Sequence, residues 1–276
     1  MSDVRPIGVF DSGVGGLTVL RELRRRLPGE RLVYLADLAN FPYGPRYQNE
    51  VRDFALRIIE HLHAADVKLI VIACNTATAA ALTAARERFL MPIVGVIGPG
   101  AMAAVEATRN GRIAVISTAG THASQQYLHA IWEANPGVGI LPRAAPELVD
   151  IVEAGDADSP RADAALRPLV DELTDWGADT LLLGCTHYPL LRPALRRLGG
   201  DTLQIVDSAQ TTAQRVERII AVNRLESGVG EAGAPRLCVT ADPQRFSATA
   251  SLLFGEQLAD PEVVPLWDEP ALGVAS

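Results

Sequence analysis

Two hydrophobic periods alternate along most of the chain. Short continuous apolar runs, each closed by Gly, Pro, Asp or Ser, recur at Ile7–Phe10, Leu32–Leu35, Leu69–Ala73, Ile93–Val96, Ile113–Ile116, Thr180–Leu183, Leu203–Val206 and Leu237–Val239. Such runs predict buried strands. Between them the apolar positions fall at spacings of three and four. The clearest set is Val51, Phe54, Ala55, Ile58, Ile59 and Leu62, one face of a helix. Further helices are predicted over Leu17–Leu27, Thr78–Phe89, Ala123–Ala134, Asp163–Trp176, Leu190–Leu198 and Thr211–Asn223. Strands without polar alternation need cover on both faces, which helices flanking a parallel sheet supply. The expected class is therefore α/β, with mainly parallel central sheets and working loops at the strands' C-terminal ends. Glu226–Pro235, rich in Gly and Ala, reads as an exposed loop.

The chain also repeats itself. Leu69-Ile70-Val71-Ile72-Ala73-Cys74-Asn75-Thr76 is an apolar strand, a small residue, a cysteine and two polar residues. Leu181-Leu182-Leu183-Gly184-Cys185-Thr186-His187 has the same layout, 185 − 74 = 111 residues later. Val9-Phe10-Asp11-Ser12-Gly13 and Val115-Ile116-Ser117-Thr118-Ala119 make a second pair, displaced by 115 − 9 = 106. Offsets this similar suggest two α/β halves. If these face each other about an approximate two-fold axis, Cys74 and Cys185 approach one cleft from opposite sides. Inverting a stereocentre needs a base on one face of a carbon and an acid on the other. A thiol can play either part, since its ordinary pKa lies not far above neutrality and responds to nearby charge and burial.

Composition narrows the partners. The net charge of −8 is spread over interspersed acids and bases, without the basic stripe that nucleic-acid binding uses. No apolar stretch approaches a membrane span, and no apolar signal region follows Met1. Three cysteines, an odd number, argue against a disulfide framework and for a cytoplasmic protein with reduced thiols. Cys238, inside Leu237-Cys238-Val239, reads as core packing, and His61, His63 and His129 as surface or packing residues.

Four segments then carry a resemblance. Asp11-Ser12-Gly13-Val14-Gly15-Gly16-Leu17-Thr18-Val19, Pro42-Tyr43-Gly44, Ala73-Cys74-Asn75-Thr76-Ala77 and Gly184-Cys185-Thr186-His187-Tyr188-Pro189 resemble, in order, the signature segments of the bacterial glutamate racemases. The resemblance runs from about Ile7 to Ala213. It implies interconversion of L- and D-glutamate without a cofactor, supplying D-glutamate for peptidoglycan. It further implies that Cys74 acts on the D-enantiomer and Cys185 on the L-enantiomer, with Asp11 assisting the first thiol and His187 and Glu153 the second. Ser12, Tyr43, Gly44, Asn75, Thr76, Thr118, Thr121 and Thr186 match substrate contacts, alongside Asp11 and His187. In Thr118-Ala119-Gly120-Thr121-His122-Ala123-Ser124, His122 departs from the family pattern. Two similar three-layer domains are implied: residues 1–97 with 209–276, and residues 98–208. A homodimer, or a monomer–dimer equilibrium, is expected.

Competing readings stay open at this point. Asp11 and Ser12 are also good helix N-caps, Tyr43 a turn residue and Glu153 a solvated helix position. Gly13-Val14-Gly15-Gly16 opens a nucleotide-binding alternative, although Thr18 stands where G-x-G-x-x-G needs its last glycine. Cys74, Cys185, His187 and Asp11 could be metal ligands of a hydrolase, though not in a compact C-x-x-C arrangement. An aspartate racemase of the same two-thiol type is the nearest rival.

Overall fold

The computed structural model describes residues 2–255 and 258–267; residues 1, 256–257 and 268–276, which the expected first domain also includes, lie outside the described residues. The chain begins with β1 (Ile7–Asp11), α1 (Leu17–Arg26), β2 (Leu32–Ala36), α2 (Gln48–Ala64), β3 (Leu69–Ile72), α3 (Asn75–Arg88), β4 (Ile93–Gly95) and α4 (Ile97–Ala107). There follow β5 (Arg112–Ser117), α5 (Ala119–Ser124), α6 (Gln126–Ala134), β6 (Gly139–Ala144), α7 (Glu147–Glu153), α8 (Pro160–Asp175), β7 (Thr180–Gly184), α9 (Arg192–Gly199) and β8 (Gln204–Asp207). The last elements are α10 (Ala209–Asn223), β9 (Arg236–Val239), α11 (Pro243–Phe254) and β10 (Glu262–Val263).

All eight apolar runs form strands, in two parallel sheets. The first has the order β10-β9-β2-β1-β3-β4 and the second β6-β5-β7-β8. Inside the first, β2-β1-β3-β4 has the same connectivity as the whole of the second. Ile7 pairs with Leu69 across β1 and β3, and Ile113 with Thr180 across β5 and β7, which are the 106- and 111-residue offsets read along the chain. The strands of each central pair are buried on both faces, as their unbroken apolar runs require. α4 packs Ile97, Ala101 and Ala104 into the second sheet's core, whereas α10 returns Ala213, Val216 and Ile220 to the first.

Three expectations are corrected. The helix read as Ala123–Ala134 is two helices, α5 and α6, broken at Gln125, which takes φ +56. The stretch Leu190–Leu198 begins as a 3₁₀ turn over Tyr188–Leu191, since Pro189 and Pro193 favour helix starts. The loop at Glu226–Pro235 is exposed over most of its length, but Ser227 is buried; its amide donates to Glu30 Oε1 and its hydroxyl to the Gly29 carbonyl. A second anchor lies beside it. Lys68 Nζ donates to the carbonyls of Asp3 and Leu225, each at 2.7 Å, and pairs with Glu30 Oε2 at 2.5 Å, off the ideal hydrogen-bond direction.

Candidate active site

The Cys74 side is assembled from the ends of β1 and β3. Asp11 closes β1 fully buried, and its Oδ2 accepts the Gly16 amide at 2.7 Å, so the carboxylate does bind the turn that opens α1. Its Oδ1 is buried without a partner. Capping therefore occupies one oxygen and leaves the other without a hydrogen bond. Cys74 is the N-cap of α3; its Sγ accepts the Ala77 amide at 3.4 Å and donates toward Ser12 Oγ at 3.9 Å. A helix N-terminus favours a thiolate. Burial opposes it, the Asp11 carboxylate adds repulsion, and the Cys74 thiol is pushed well above its ordinary value. Cys74 thus rests protonated. Burial also raises Asp11, against the positive pull of His187 and the amides of Gly16 and Ser12.

The Cys185 side is built differently. Cys185 follows β7, with His187 Nδ1 3.8 Å from its Sγ. On the far side of the ring, Nε2 lies 2.9 Å from Glu153 Oε1, at the end of α7. Burial works against a charged His187, but its hydrogen bonds to Cys185 and Glu153 outweigh that, and its pKa is held up to about 10. At neutral pH an imidazolium therefore faces the Cys185 sulfur. Because the folded value lies above the ordinary 6.5, the proton's contribution to stability is complete below that value. It is lost as pH rises through about 10. Urea unfolding of the wild type should show this decline between about pH 7 and about pH 10.5, and His187→Gln should flatten it; equal slopes in the two proteins would sink the assignment.

The two sides meet. A Cβ on Gly15 would lie 2.5 Å from Thr186 Oγ1 and 2.6 Å from His187 Nδ1, and Thr18 Oγ1 reaches the Thr186 carbonyl at 3.5 Å. Glycine at position 15 is thus required by close approach of the opposite half, a reason unrelated to phosphate. Gly44 makes a similar approach to Thr118, and its carbonyl accepts the Gly120 amide at 2.8 Å. Thr76 Oγ1 lies 2.9 Å from Thr118 Oγ1 and 3.2 Å from Thr121 Oγ1, so three hydroxyls from both halves form one buried cluster. Asn75 Oδ1 accepts from Tyr127 OH at 3.2 Å, while Asn75 Nδ2 is buried and unpartnered. A buried donor and a buried acceptor, Asn75 Nδ2 and Asp11 Oδ1, thus remain without partners, and Cys74 and Cys185 are only 5% and 6% exposed. Exclusion of water strengthens every charge interaction there.

Tyr43 is buried, but its hydroxyl donates to Asp37 Oδ2 at 2.5 Å and is not presented as a free donor. Asp37 also accepts from Thr240 Oγ1, Trp267 Nε1 and Asn40 Nδ2, and so fixes the Phe41–Gly44 path. Sequence reasoning missed Asp37, Tyr127, Phe41 and Arg245. Only Arg245 left a local sign: Asp242-Pro243 is an N-cap followed by Pro at the first helical position, which marks a helix start. Cys238 packs in the core beside Leu35 and Ile72, His63 and His129 are exposed, and His61 is half-buried. Among the described residues no three His, Cys, Asp or Glu side chains gather as a metal site.

Two α/β halves of one topology, each with a buried cysteine directly after an equivalent strand, define the class of scaffold. A family model described as Asp/Glu/Hydantoin racemase matches residues 7–216, and the chain belongs to that family. It is 48% identical over 251 residues to a glutamate racemase of Roseiflexus sp., covering 90% of this chain and 92% of that one. To a glutamate racemase of Deinococcus radiodurans it is 42% identical over 263 residues, 93% of this chain and 90% of that one. Among solved structures, glutamate racemase from Thermus thermophilus in complex with β-chloro-D-alanine superposes with a TM-score of 0.86 at 38% identity, covering 96% of this chain and 98% of that one. Glutamate racemase from Francisella tularensis in complex with D-glutamate gives a TM-score of 0.88 at 28% identity, covering 97% and 100%.

Proposed function

We propose that the protein interconverts L- and D-glutamate by two-base proton transfer between Cys74 and Cys185, supplying D-glutamate for peptidoglycan. The observation that carries the reading is the pairing of two buried thiols placed just after equivalent strands, β3 and β7, each with its own ionisable partner. From L-glutamate, the Cys185 thiolate takes the α-proton and becomes a thiol; the electron pair left on the α-carbon delocalises into the adjacent carboxylate. The Cys74 thiol then delivers its proton to the opposite face, leaving a thiolate and D-glutamate. The reverse reaction exchanges the roles, and proton exchange with solvent resets the pair. Asp11 assists Cys74; His187, aligned by Glu153, assists Cys185. Ser12, Gly44, Asn75, Thr76, Thr118, Thr121 and Thr186 line the cleft as carboxylate and ammonium contacts, with Tyr43 shaping the loop.

Glutamate is favoured over aspartate by the high identity to glutamate racemases over nine-tenths of the chain. The division into residues 1–97 with 209–276, and 98–208, belongs to the same reading, as do a cytoplasmic location and a homodimer or monomer–dimer equilibrium. No described helix is long and apolar enough to cross a membrane. The test is α-proton exchange in deuterated buffer with L-glutamate, D-glutamate and both enantiomers of aspartate. Exchange and racemisation of glutamate are expected; turnover of aspartate alone would overturn the substrate.

A further inference from the structure

Arg245 takes no part in the proton transfers, yet three observations converge on it. Asp242 caps α11 by accepting the Arg245 amide at 3.0 Å, which fixes this residue in the helix's first turn. α11 seats against the end of α7: Leu252 lies 3.0 Å from where a Cβ on Gly155 would stand, two residues beyond Glu153. From there the Arg245 side chain reaches Glu153, with Nη2 3.5 Å from Oε2, and its guanidinium lies 5.2 Å over the Phe41 ring. Glu153 binds His187 through its other oxygen, and the Phe41 ring is 6.3 Å from the imidazole. The contacts form a line: Arg245, Glu153, His187, Cys185. Its far end comes from a helix that follows the first sheet's β9, whereas the other three members belong to the second half.

We propose that Arg245 is a positioning residue for the Cys185 half-reaction, holding the Glu153 carboxylate so that His187 stays aimed at the Cys185 sulfur. The inference rests on the two-thiol reading above. A carboxylate with three rotatable bonds and one partner can swing away from the ring; a second partner on its second oxygen removes that freedom. The pair is partly open to water, with Arg245 47% exposed, so its worth to global stability is small and its effect is on orientation. The Cys185 side is thereby incomplete without a residue from the opposite end of the chain. Among the described residues no arginine or lysine pairs with Asp11, so the effect is one-sided.

That one-sidedness is the test. Arg245→Ala, Arg245→Lys and wild type are compared in deuterated buffer, following α-proton exchange and racemisation from each enantiomer, with thermal melts as a check on folding. In Arg245→Ala, kcat is expected to fall about fivefold in both directions with KM little changed. Starting from D-glutamate, deuterium should enter the unreacted substrate faster than L-glutamate appears, because Cys74 still removes the proton while delivery at Cys185 lags. Starting from L-glutamate, no such excess should appear. Arg245→Lys, which keeps the charge, should recover most of the rate. Equal loss of exchange from both enantiomers, or wild-type rates in Arg245→Ala, would overturn the proposal while leaving the two-thiol reading intact. Wild type that neither exchanges nor racemises glutamate would remove that reading and this inference with it.

Discussion

Serine at position 74 or 185 is expected to lower racemisation of glutamate at least about a thousandfold, because a hydroxyl cannot serve as base or acid near neutrality as a thiol does. The two variants should differ in what survives. Cys74→Ser keeps Cys185 with its His187–Glu153 pair, so L-glutamate should still exchange its α-proton with solvent while D-glutamate does not. Cys185→Ser keeps Cys74 and Asp11, and the pattern should invert. Deuterium incorporation followed separately for each enantiomer checks both. Racemisation at wild-type rate in either variant would remove the two-base mechanism. The two thiols also differ in their surroundings: burial and the Asp11 carboxylate push the Cys74 thiol up, whereas the His187 imidazole, its pKa raised, faces Cys185.

The second large effect concerns stability. Lys68→Met should cost about 3–5 kcal/mol, the usual penalty for stripping one partner from a buried ion pair. The side chains of Lys68 and Glu30 are almost wholly buried, at 0% and 6% exposure. Methionine would leave the Glu30 carboxylate facing the Ser227 amide alone and the carbonyls of Asp3 and Leu225 without their donor. The anchor ties the chain before β1, the turn after α1 and the loop after α10 to the start of β3. Urea unfolding reads the loss. A change under about 1 kcal/mol would mean that water reaches the pair and replaces the lysine. Since the anchor is remote from the thiols, kcat at a temperature where the variant is folded should stay near the wild-type value.

Much of this was legible along the chain. Each apolar run became a strand, and those in the middle of a sheet are buried, because a segment apolar on both faces has few stable surroundings other than a covered parallel sheet; β8, at a sheet edge, is only half-buried. The repeat between Cys74 and Cys185 was legible for the same reason: two halves with one topology put strand, small residue and cysteine in the same order, and β1–β3 and β5–β7 pair at the offsets seen in the sequence. The strand at Gly139–Ala144 was not legible. It lies at a sheet edge, is only half-buried and contains Pro142, which an edge strand tolerates and a central strand does not. Helix α4 was missed because Ile97-Gly98-Pro99-Gly100 reads as a breaker, yet Pro is tolerated in a first helical turn. The break at Gln125 needed a residue in the left-handed region that no turn-forming glycine announced.

The sequence by itself determined the fold class, the two-fold repetition and the residue types that can move a proton, because periodicity and local chemistry are properties of neighbouring positions. The tertiary structure decided what those residues face. Only folding brings Glu153 to His187 across 34 positions, commits the Tyr43 hydroxyl to Asp37, presses Gly15 against Thr186, and carries Arg245 back to Glu153 from the far end of the chain. Such contacts depend on how helices seat on sheets and how one half meets the other. Those placements follow from packing summed over the whole molecule, and no local stretch of sequence encodes them.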